Sequence, residues 1–146
     1  MEMVLFIGLQ ASGKSTFYRE HLFHSHVRIN LDMLRTRHRE QRLVEACLHA
    51  QQALVIDNTN PARADRTRYI EPARAAGFSI VGYYFRSVVA ECMARNAQRP
   101  DEQRIPERGL LGTAKRLERP ELDEGFDTLY YVQLSEDGFL VSPWRP

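Results

Sequence analysis

The residues with the clearest chemical signal form a glycine-rich loop near the start of the chain. Gly8 ends a short apolar run, and Gly13, Lys14 and Ser15 follow it in the spacing G-x-x-x-x-G-K-S/T. Glycines in this pattern let backbone N–H groups approach an anion without interference from a Cβ atom. The lysine offers a positive charge to the β- and γ-phosphates of a nucleotide, and the serine hydroxyl is a ligand for Mg²⁺. The loop therefore predicts a site for a nucleoside triphosphate.

A predicted helix follows this loop, and its N-terminus directs a partial positive charge at the same anion. Lys14 is an expected catalytic residue, Mg²⁺ is the expected cofactor with Ser15 as its ligand, and ATP is the expected phosphate donor. The residues expected to bind ATP in the loop and the first helical turn are Gly8, Ala11, Ser12, Gly13, Lys14, Ser15 and Thr16.

Two aspartates follow predicted strands on the same side of the chain's central sheet. Asp32 comes after a short alternating strand over residues 27–30, and Asp57 ends an apolar strand over residues 53–57. A carboxylate at position 32 could accept the proton of an alcohol as it attacks the γ-phosphorus, or it could simply cap the next helix. Asp57 could hold Mg²⁺, directly or through water, or form the turn that follows, and both roles are compatible.

Arginines dominate the basic residues and concentrate beside these candidate groups. The arginines between residues 35 and 42 either form a solvated helix face or contact a polyanion. The segment 96–112 is polar and rich in Arg, Pro and Gly, which predicts a mobile lid. Arg95, Arg99 and Arg104 lie on or just after a predicted helix and could close on the γ-phosphate. The alternative is that they are ordinary exposed arginines.

Length and composition restrict the classes of protein to consider. A chain of 146 residues with 43% hydrophobic and 27% charged residues predicts one globular domain over residues 1–146. The net charge of +1 requires any nucleic-acid contact to come from a local patch. Cys47 and Cys92 fall on apolar helix positions, which predicts buried, reduced thiols. We find no signal peptide and no apolar run of membrane-spanning length, so we expect a cytoplasmic protein without a membrane partner.

Strands alternate with helices along the chain, which predicts an α/β fold with a parallel sheet and ligands at the carboxyl ends of its strands. We expect one helix from about Asp32 to Gln51, and another with Asn60 as N-cap and Pro61 at its first position. The predicted strands span residues 3–7, 27–30, 53–57, 78–85 and 128–134.

Three runs of sequence resemble one family when they are taken together. They are the loop over residues 8–17, the run Ile29-Asn30-Leu31-Asp32-Met33-Leu34-Arg35, and the run Val55-Ile56-Asp57-Asn58-Thr59-Asn60-Pro61. They resemble the kinase module of polynucleotide 5′-hydroxyl kinases. The stretch 95–99, with Ile105-Pro106 after it, resembles the lid of the bacteriophage and bacterial members. The resemblance extends from Val4 to about Leu134.

The resemblance implies a three-layer P-loop NTPase fold with the five-stranded parallel sheet of the adenylate-kinase-like group and an arginine-rich lid. It implies that Asp32 is the general base for a 5′-hydroxyl of DNA or RNA, and that Arg35 binds the adjacent phosphate of this acceptor. It further implies that Arg99, a catalytic residue helped by Arg95, contacts the ATP phosphates. Asp57 would support the substrate site from the third strand.

Two departures from the family pattern affect these expectations. Leu31 stands where family members commonly have Arg or Ser, so the resemblance does not define the acceptor contacts at this position. No phosphatase or ligase module accompanies the kinase pattern, so we expect a stand-alone kinase. Two other functions fit the same residues. One is a kinase of a small-molecule alcohol such as a nucleoside, sugar or antibiotic, and the other is an ATP-binding regulatory module without acceptor chemistry.

Overall fold

The computed structural model describes residues 1–145, and a six-stranded sheet runs through its centre. The strands are β1 (Glu2–Ile7), β2 (Val27–Ile29), β3 (Leu54–Ile56), β4 (Ser79–Phe85), β5 (Thr128–Ser135) and β6 (Gly138–Pro143). They lie in the order β2-β3-β1-β4-β5-β6. The first five strands are parallel, as predicted, and β6 pairs antiparallel with β5. The predicted five-stranded parallel sheet is therefore present, and a sixth strand that the sequence did not reveal extends its edge.

The helices connect the strands and mostly occupy the predicted positions. They are α1 (Lys14–His21), α2 (Leu31–Leu34), α3 (Arg37–Ala50), α4 (Arg63–Ala75), α5 (Val89–Ala97) and α6 (Glu107–Arg116), with a 3-10 turn at Leu122–Glu124. Within residues 1–145, none of these helices combines the length and apolar character that crossing a membrane requires.

The helix predicted from Asp32 to Gln51 is interrupted, which corrects one expectation. Arg35 has φ of 77°, a left-handed backbone conformation that ends α2. Thr36 then begins α3, because its side chain accepts a hydrogen bond from the Arg39 N–H at 3.2 Å. The apolar spacing of this region continues across the break, so periodicity alone could not locate it.

The alternating side chains of β1 divide the core into two layers of contacts. Met3, Leu5 and Ile7 face α3 and α4, where they pack in one cluster with Val44, Leu48, Tyr69 and Ile70. Val4 and Phe6 point to the opposite face and pack with Phe17 and Tyr18 of α1. These five side chains of β1 are fully buried. Helices therefore cover both faces of the sheet, giving the predicted three-layer arrangement.

A third apolar cluster lies beyond the carboxyl end of β1. Leu9 follows β1, Cys92 belongs to α5 and Leu110 to α6, and these buried side chains form its centre. The cluster holds α5 and α6 above the edge of the sheet where the glycine-rich loop begins. Both cysteines are buried and free, as predicted.

Asn60 does not cap α4, contrary to the sequence prediction. The helix begins at Arg63, and Ala62 occupies the N-cap position. Asn60 is buried with φ of 45°, and its Nδ2 donates a hydrogen bond to the Phe6 carbonyl at 2.7 Å. The side chain therefore supplies a hydrogen-bond partner for a backbone carbonyl of the buried strand β1.

A buried ion pair fixes the chain that leads from α6 into β5. Arg66 of α4 donates to both carboxylate oxygens of Glu124, at 2.7 and 2.9 Å. The two side chains are 0% and 2% exposed. Arg66 also donates to the carbonyls of Asn60, Pro61 and Glu118. A charge held in this way depends on its partner, because an unpaired ion in the interior is strongly destabilising.

We expect Glu124→Ala to lower the free energy of unfolding by about 3–5 kcal/mol, because it leaves the Arg66 guanidinium buried without a counter-charge. Urea unfolding measures the change. Asp123→Ala is the matched control, since its ion pair with Arg63 joins side chains that are 68% and 47% exposed. Loss of such a surface pair should change stability by no more than about 1 kcal/mol. Equal effects of the two substitutions would contradict this role for Arg66 and Glu124.

Candidate active site

The loop between β1 and α1 has a conformation that requires its two glycines. Gly13 has φ of 102°, where a side chain would strain the backbone. A Cβ atom at Gly8 would lie 3.0 Å from both the Phe85 Cβ and the Ser12 Oγ, so a larger residue would displace its neighbours. The Gly8 N–H donates to the Thr59 carbonyl at 3.0 Å, which joins the loop to the turn after β3.

Lys14 lies folded against the loop with its ammonium group largely out of water. Its Nζ donates to the carbonyls of Gly8 and Leu9 at 3.0 and 2.6 Å, and it lies 3.4 Å from the Ser12 Oγ. Burial lowers the pKa of Lys14 from its ordinary value of 10.5 to about 8, although the Asp57 carboxylate favours the charged form. Among the described residues, no carboxylate forms an ion pair with Lys14, so the loop holds a cation that suits an anionic ligand.

Ser15, Asp57 and Arg28 form a hydrogen-bonded group at the first turn of α1. The Ser15 hydroxyl donates to Asp57 Oδ2 at 3.0 Å, and the Arg28 Nε donates to the same oxygen at 2.8 Å. The Arg28 Nη2 also donates to the Ser15 Oγ at 3.1 Å. The Asp57 side chain is 1% exposed, so these contacts compensate for most of the cost of burying its charge.

The Ser15 and Asp57 oxygens are the donor set that Mg²⁺ prefers. Magnesium binds hard oxygen ligands and commonly keeps waters and substrate phosphates beside one or two protein groups. Within residues 1–145 there is no cluster of three or more His, Cys, Asp or Glu that could enclose a metal by itself. The residues present therefore fit a magnesium ion that arrives with a nucleotide, and they do not fit an all-protein metal cage.

Asp32 lies in the first turn of α2 and is not the N-cap of this helix. The N-cap is Asn30, whose Oδ1 accepts from the Met33 N–H at 2.9 Å. A second asparagine, Asn58, accepts from the Leu31 N–H at 2.8 Å. Two side-chain amides thus satisfy the first N–H groups of this short helix and fix the position from which Asp32 extends.

Asp32 lines two adjacent pockets. The first has a volume of about 210 Å³, and it also contains Lys14, Ser15, Asp57 and Arg99. The second has a volume of about 230 Å³ and extends toward α3 and α6. The two pockets share the residues Gln10, Asp32, Asn58, Thr59 and Ile105. Asp32 therefore lies where the pocket of the glycine-rich loop meets the second pocket, which is large enough to hold part of a second substrate.

The segment expected to form the lid contributes to the first pocket. Arg99, Gln103 and Ile105 line it together with residues of the loop. Arg95 donates from Nη1 to the Ala11 carbonyl at 2.9 Å, so it contacts the loop backbone directly. Arg104 instead pairs with Asp101 at 3.0 Å and donates to the Arg99 carbonyl. Arg99 therefore lines the pocket, Arg95 at the end of α5 contacts the loop, and Arg104 makes its contacts within the lid segment.

The structure separates the predicted site residues into three groups. Those that line the first pocket are Ala11, Gly13, Lys14, Ser15, Thr16, Asp32, Asp57 and Arg99. Gly8, Ser12 and Arg95 contact loop residues without lining this pocket. Arg35 is exposed at the end of α2 and lines neither pocket.

Several site residues were missed by the sequence analysis. Arg28 lies on β2, beside β3 in parallel register, so its side chain reaches Asp57 across neighbouring strands. Asn58 belongs to the recognised turn after β3, but its contact with Leu31 depends on how α2 folds back. Gln10 lines both pockets from within the loop. The sequence could have indicated Arg28 only through its position on β2, because the neighbouring strand β3 is followed by Asp57.

Comparison with known proteins supports this description of the fold. The sequence profile of the AAA domain family matches residues 36–120. Among solved structures, Kti12 from Chaetomium thermophilum, crystallised with ADP-AlF3, has a TM-score of 0.73 at 16% identity and 92% coverage of both chains. A gluconokinase from Sinorhizobium meliloti has a TM-score of 0.64 at 16% identity, with coverage of 92% of this chain and 83% of the other.

Two curated relatives are similar in sequence. The bifunctional polynucleotide phosphatase/kinase of Schizosaccharomyces pombe is 27% identical over 135 residues, which cover 90% of this chain and 33% of the relative. A putative bifunctional polynucleotide phosphatase/kinase of Acanthamoeba polyphaga mimivirus is 32% identical over 91 residues, which cover 62% of this chain and 21% of the relative. The chain thus spans a third or less of the length of these relatives. It belongs to the AAA domain family and has the three-layer α/β fold of P-loop kinases.

Proposed function

We propose that this protein is an ATP-dependent phosphotransferase that moves the γ-phosphate of ATP to a 5′-hydroxyl end of DNA or RNA. The observation that carries the proposal is the position of Asp32, which lines both the pocket of Lys14 and the adjoining second pocket. A carboxylate at such a junction can contact an acceptor alcohol on one side while the nucleotide lies on the other. The polynucleotide kinases among the relatives support the choice of acceptor.

The nucleotide phosphates bind along the loop over residues 8–16, in the same pocket as Lys14 and the N-terminal turn of α1. The buried ammonium of Lys14 neutralises the β- and γ-phosphates and stabilises charge that develops during transfer. The Ser15 hydroxyl, supported by Asp57, would hold Mg²⁺, which would neutralise charge on the phosphates. Ser15 donates to Asp57 Oδ2 at 3.0 Å, so the two oxygens that would serve the ion lie side by side.

The reaction requires one proton transfer and one substitution at phosphorus. The acceptor oxygen forms a new bond to the γ-phosphorus, and its proton passes to the Asp32 carboxylate. The bond from this phosphorus to the β–γ bridging oxygen breaks, and its electron pair leaves with ADP. Arg99, which lines the same pocket as Lys14, stabilises the charge on the transferred group, helped by Arg95, which contacts the loop backbone.

Arg35 and the lid segment also have roles in the proposed reaction. Arg35 contacts an acceptor phosphate from outside the two pockets, since it is exposed beyond the end of α2. The chain acts as one kinase domain, and residues 96–112 act as its lid, because three residues of this segment line the first pocket. Closure of this lid would exclude water from the γ-phosphate and favour the alcohol over hydrolysis.

We expect Asp32→Asn to lower kcat about 10²- to 10⁴-fold in the transfer of labelled phosphate from ATP to a 5′-hydroxyl oligonucleotide. The amide keeps the size of the side chain but accepts no proton, so the affinity for ATP should stay within a few-fold of wild type. Asp123→Asn, an exposed acid remote from both pockets, is the control and should retain full activity.

Two outcomes of this assay would reject the proposal. In the first, wild-type protein transfers no phosphate to DNA or RNA ends but phosphorylates a metabolite alcohol, which would favour the small-molecule kinase. In the second, Asp32→Asn retains full transfer, which would remove the general base. ATP binding without turnover on any alcohol would instead favour a regulatory module.

We also expect ATP affinity to fall as the pH rises above about 8. The Lys14 pKa of about 8 means that the free protein loses this proton above that pH, whereas ATP binds the charged form. The dissociation constant should therefore rise by up to roughly tenfold per pH unit, and binding should take up a proton. Calorimetric titration in buffers of different ionisation enthalpy measures both quantities.

Lys14→Arg provides the control for this pH dependence. A guanidinium remains charged throughout this range, so the variant should bind ATP more weakly at pH 7 but with little change up to pH 9. The same pH dependence in wild type and variant would assign the titration to another group.

A further inference from the structure

The guanidinium of Arg28 donates hydrogen bonds to both oxygens that the proposed function assigns to Mg²⁺. Its Nε donates to Asp57 Oδ2 at 2.8 Å, and its Nη2 donates to the Ser15 Oγ at 3.1 Å. The Ser15 hydroxyl in turn donates to the same Asp57 oxygen at 3.0 Å. A divalent cation can bind these oxygens only if it replaces hydrogen bonds from a group that is itself positively charged.

Contacts with two other elements hold this guanidinium in place besides its ion pair. Arg28 lies on the edge strand β2 in register with Val55 of β3, and Val55 packs on the face of the sheet that α1 covers. The Arg28 Cζ lies 5.9 Å from the centre of the Tyr18 ring of α1, a distance at which a cation and an aromatic ring attract each other. The Arg28 side chain is only 27% exposed. The guanidinium is therefore a fixed part of the pocket wall.

The first pocket carries an excess of positive charge. Three of its charged side chains are cations and two are anions, namely Lys14, Arg28 and Arg99 against Asp32 and Asp57. The Asp57 side chain is 1% exposed, so water and salt screen the charges around it only weakly. The Arg28 guanidinium therefore repels a free divalent cation at the Ser15 and Asp57 oxygens. The phosphates of a nucleotide carry several negative charges, which outweigh this repulsion.

We propose that Arg28 makes the binding of Mg²⁺ depend on the nucleotide. In the nucleotide-free protein the guanidinium competes for the Ser15 and Asp57 oxygens, so these oxygens bind the free ion weakly. The phosphates of ATP supply the missing negative charge, so the loop receives Mg²⁺ and ATP together. This inference rests on the nucleotide and metal site of the proposed function, and it is independent of the acceptor.

The test measures the binding of Mn²⁺ to the nucleotide-free protein by electron paramagnetic resonance. Mn²⁺ accepts the same kinds of oxygen ligand as Mg²⁺. Wild-type protein should bind it with a dissociation constant above about 1 mM, the weak limit of dedicated calcium sites. Arg28→Gln keeps a donor for Asp57 but removes the positive charge, so it should bind Mn²⁺ at least about tenfold more tightly.

Two further variants identify the cause and the place of this gain. Arg28→Lys is the matched control, because it keeps a positive charge at the same position, and it should bind Mn²⁺ as weakly as wild type. Adding Asp57→Asn to Arg28→Gln should abolish the gain, since it removes the carboxylate at the proposed ion site. As an independent readout, excess Mg²⁺ should raise the melting temperature of Arg28→Gln more than that of wild type, because an ion bound to the native state stabilises it.

Three results would overturn the inference and leave the proposed function standing. The first is equal Mn²⁺ affinity in wild type and Arg28→Gln, and the second is an equal gain in Arg28→Lys. The third is tight binding of Mn²⁺ by nucleotide-free wild type that Asp57→Asn abolishes, a result that requires no folded variant at position 28. Failure of wild type to bind ATP together with Mg²⁺ would instead overturn both proposals.

Discussion

The arrangement of the site depends on one turn that follows a buried strand. The polar groups of this turn must form hydrogen bonds within the protein. Asp57, Asn58, Thr59 and Asn60 follow β3, where three consecutive residues are fully buried. Polar groups in such a place must find partners within the protein. Each of the four finds its partner in a different element, and the turn therefore joins parts that are distant along the chain.

The contacts of the turn link every part of the proposed chemistry. Asp57 accepts from Ser15 at the start of α1, and Thr59 accepts from Gly8 at the start of the loop. Asn58 joins the Asp32 helix to the buried carboxylate of Glu40. Asn60 donates to the backbone of β1. Short, hydrogen-bonded residues of the turn thus set the distance between the loop and the helix that carries Asp32. A preorganised site requires such a fixed distance between its reacting groups.

Burial gives the charges of this site their effect. Lys14 is only 9% exposed, and the interior around it disfavours its charged form in the absence of an anion. A phosphate that enters the loop replaces the hydration that the ammonium has lost, so part of the cost of burial is recovered only on binding. Arg28 likewise neutralises the buried charge of Asp57 through an ion pair. The burial of Lys14 therefore favours the binding of an anion by the loop.

The sequence revealed those features that depend on local pattern. The spacing of Gly8, Gly13 and Lys14 and the apolar strands around them predicted the loop, the parallel sheet and the edge where Asp32 and Asp57 lie. The sequence did not reveal the break at Arg35, because a left-handed residue leaves no mark on apolar periodicity. Asn60 matched an N-cap pattern, but in the structure its side chain donates a hydrogen bond to a carbonyl of β1 instead of capping α4.

Contacts between residues that are far apart along the chain could also not be predicted from the sequence. Arg66 and Glu124 are separated by 58 positions, and nothing in their local context marks them as buried. Arg37 likewise donates a hydrogen bond to the hydroxyl of Tyr69, which is 32 positions away. Among many arginines of one chain, only tertiary contacts distinguish those that are anchored from those that are solvated.

The central claim is that one alcohol oxygen fits between the Asp32 carboxylate and the γ-phosphorus of ATP. A crystal structure with a non-hydrolysable ATP analogue, Mg²⁺ and a 5′-hydroxyl oligonucleotide measures this most directly. We predict a 5′-oxygen about 2.6–3.2 Å from a carboxylate oxygen of Asp32 and in line with the bond to the leaving group. A terminal hydroxyl bound elsewhere, with Asp32 turned away from the nucleotide, would contradict the claim.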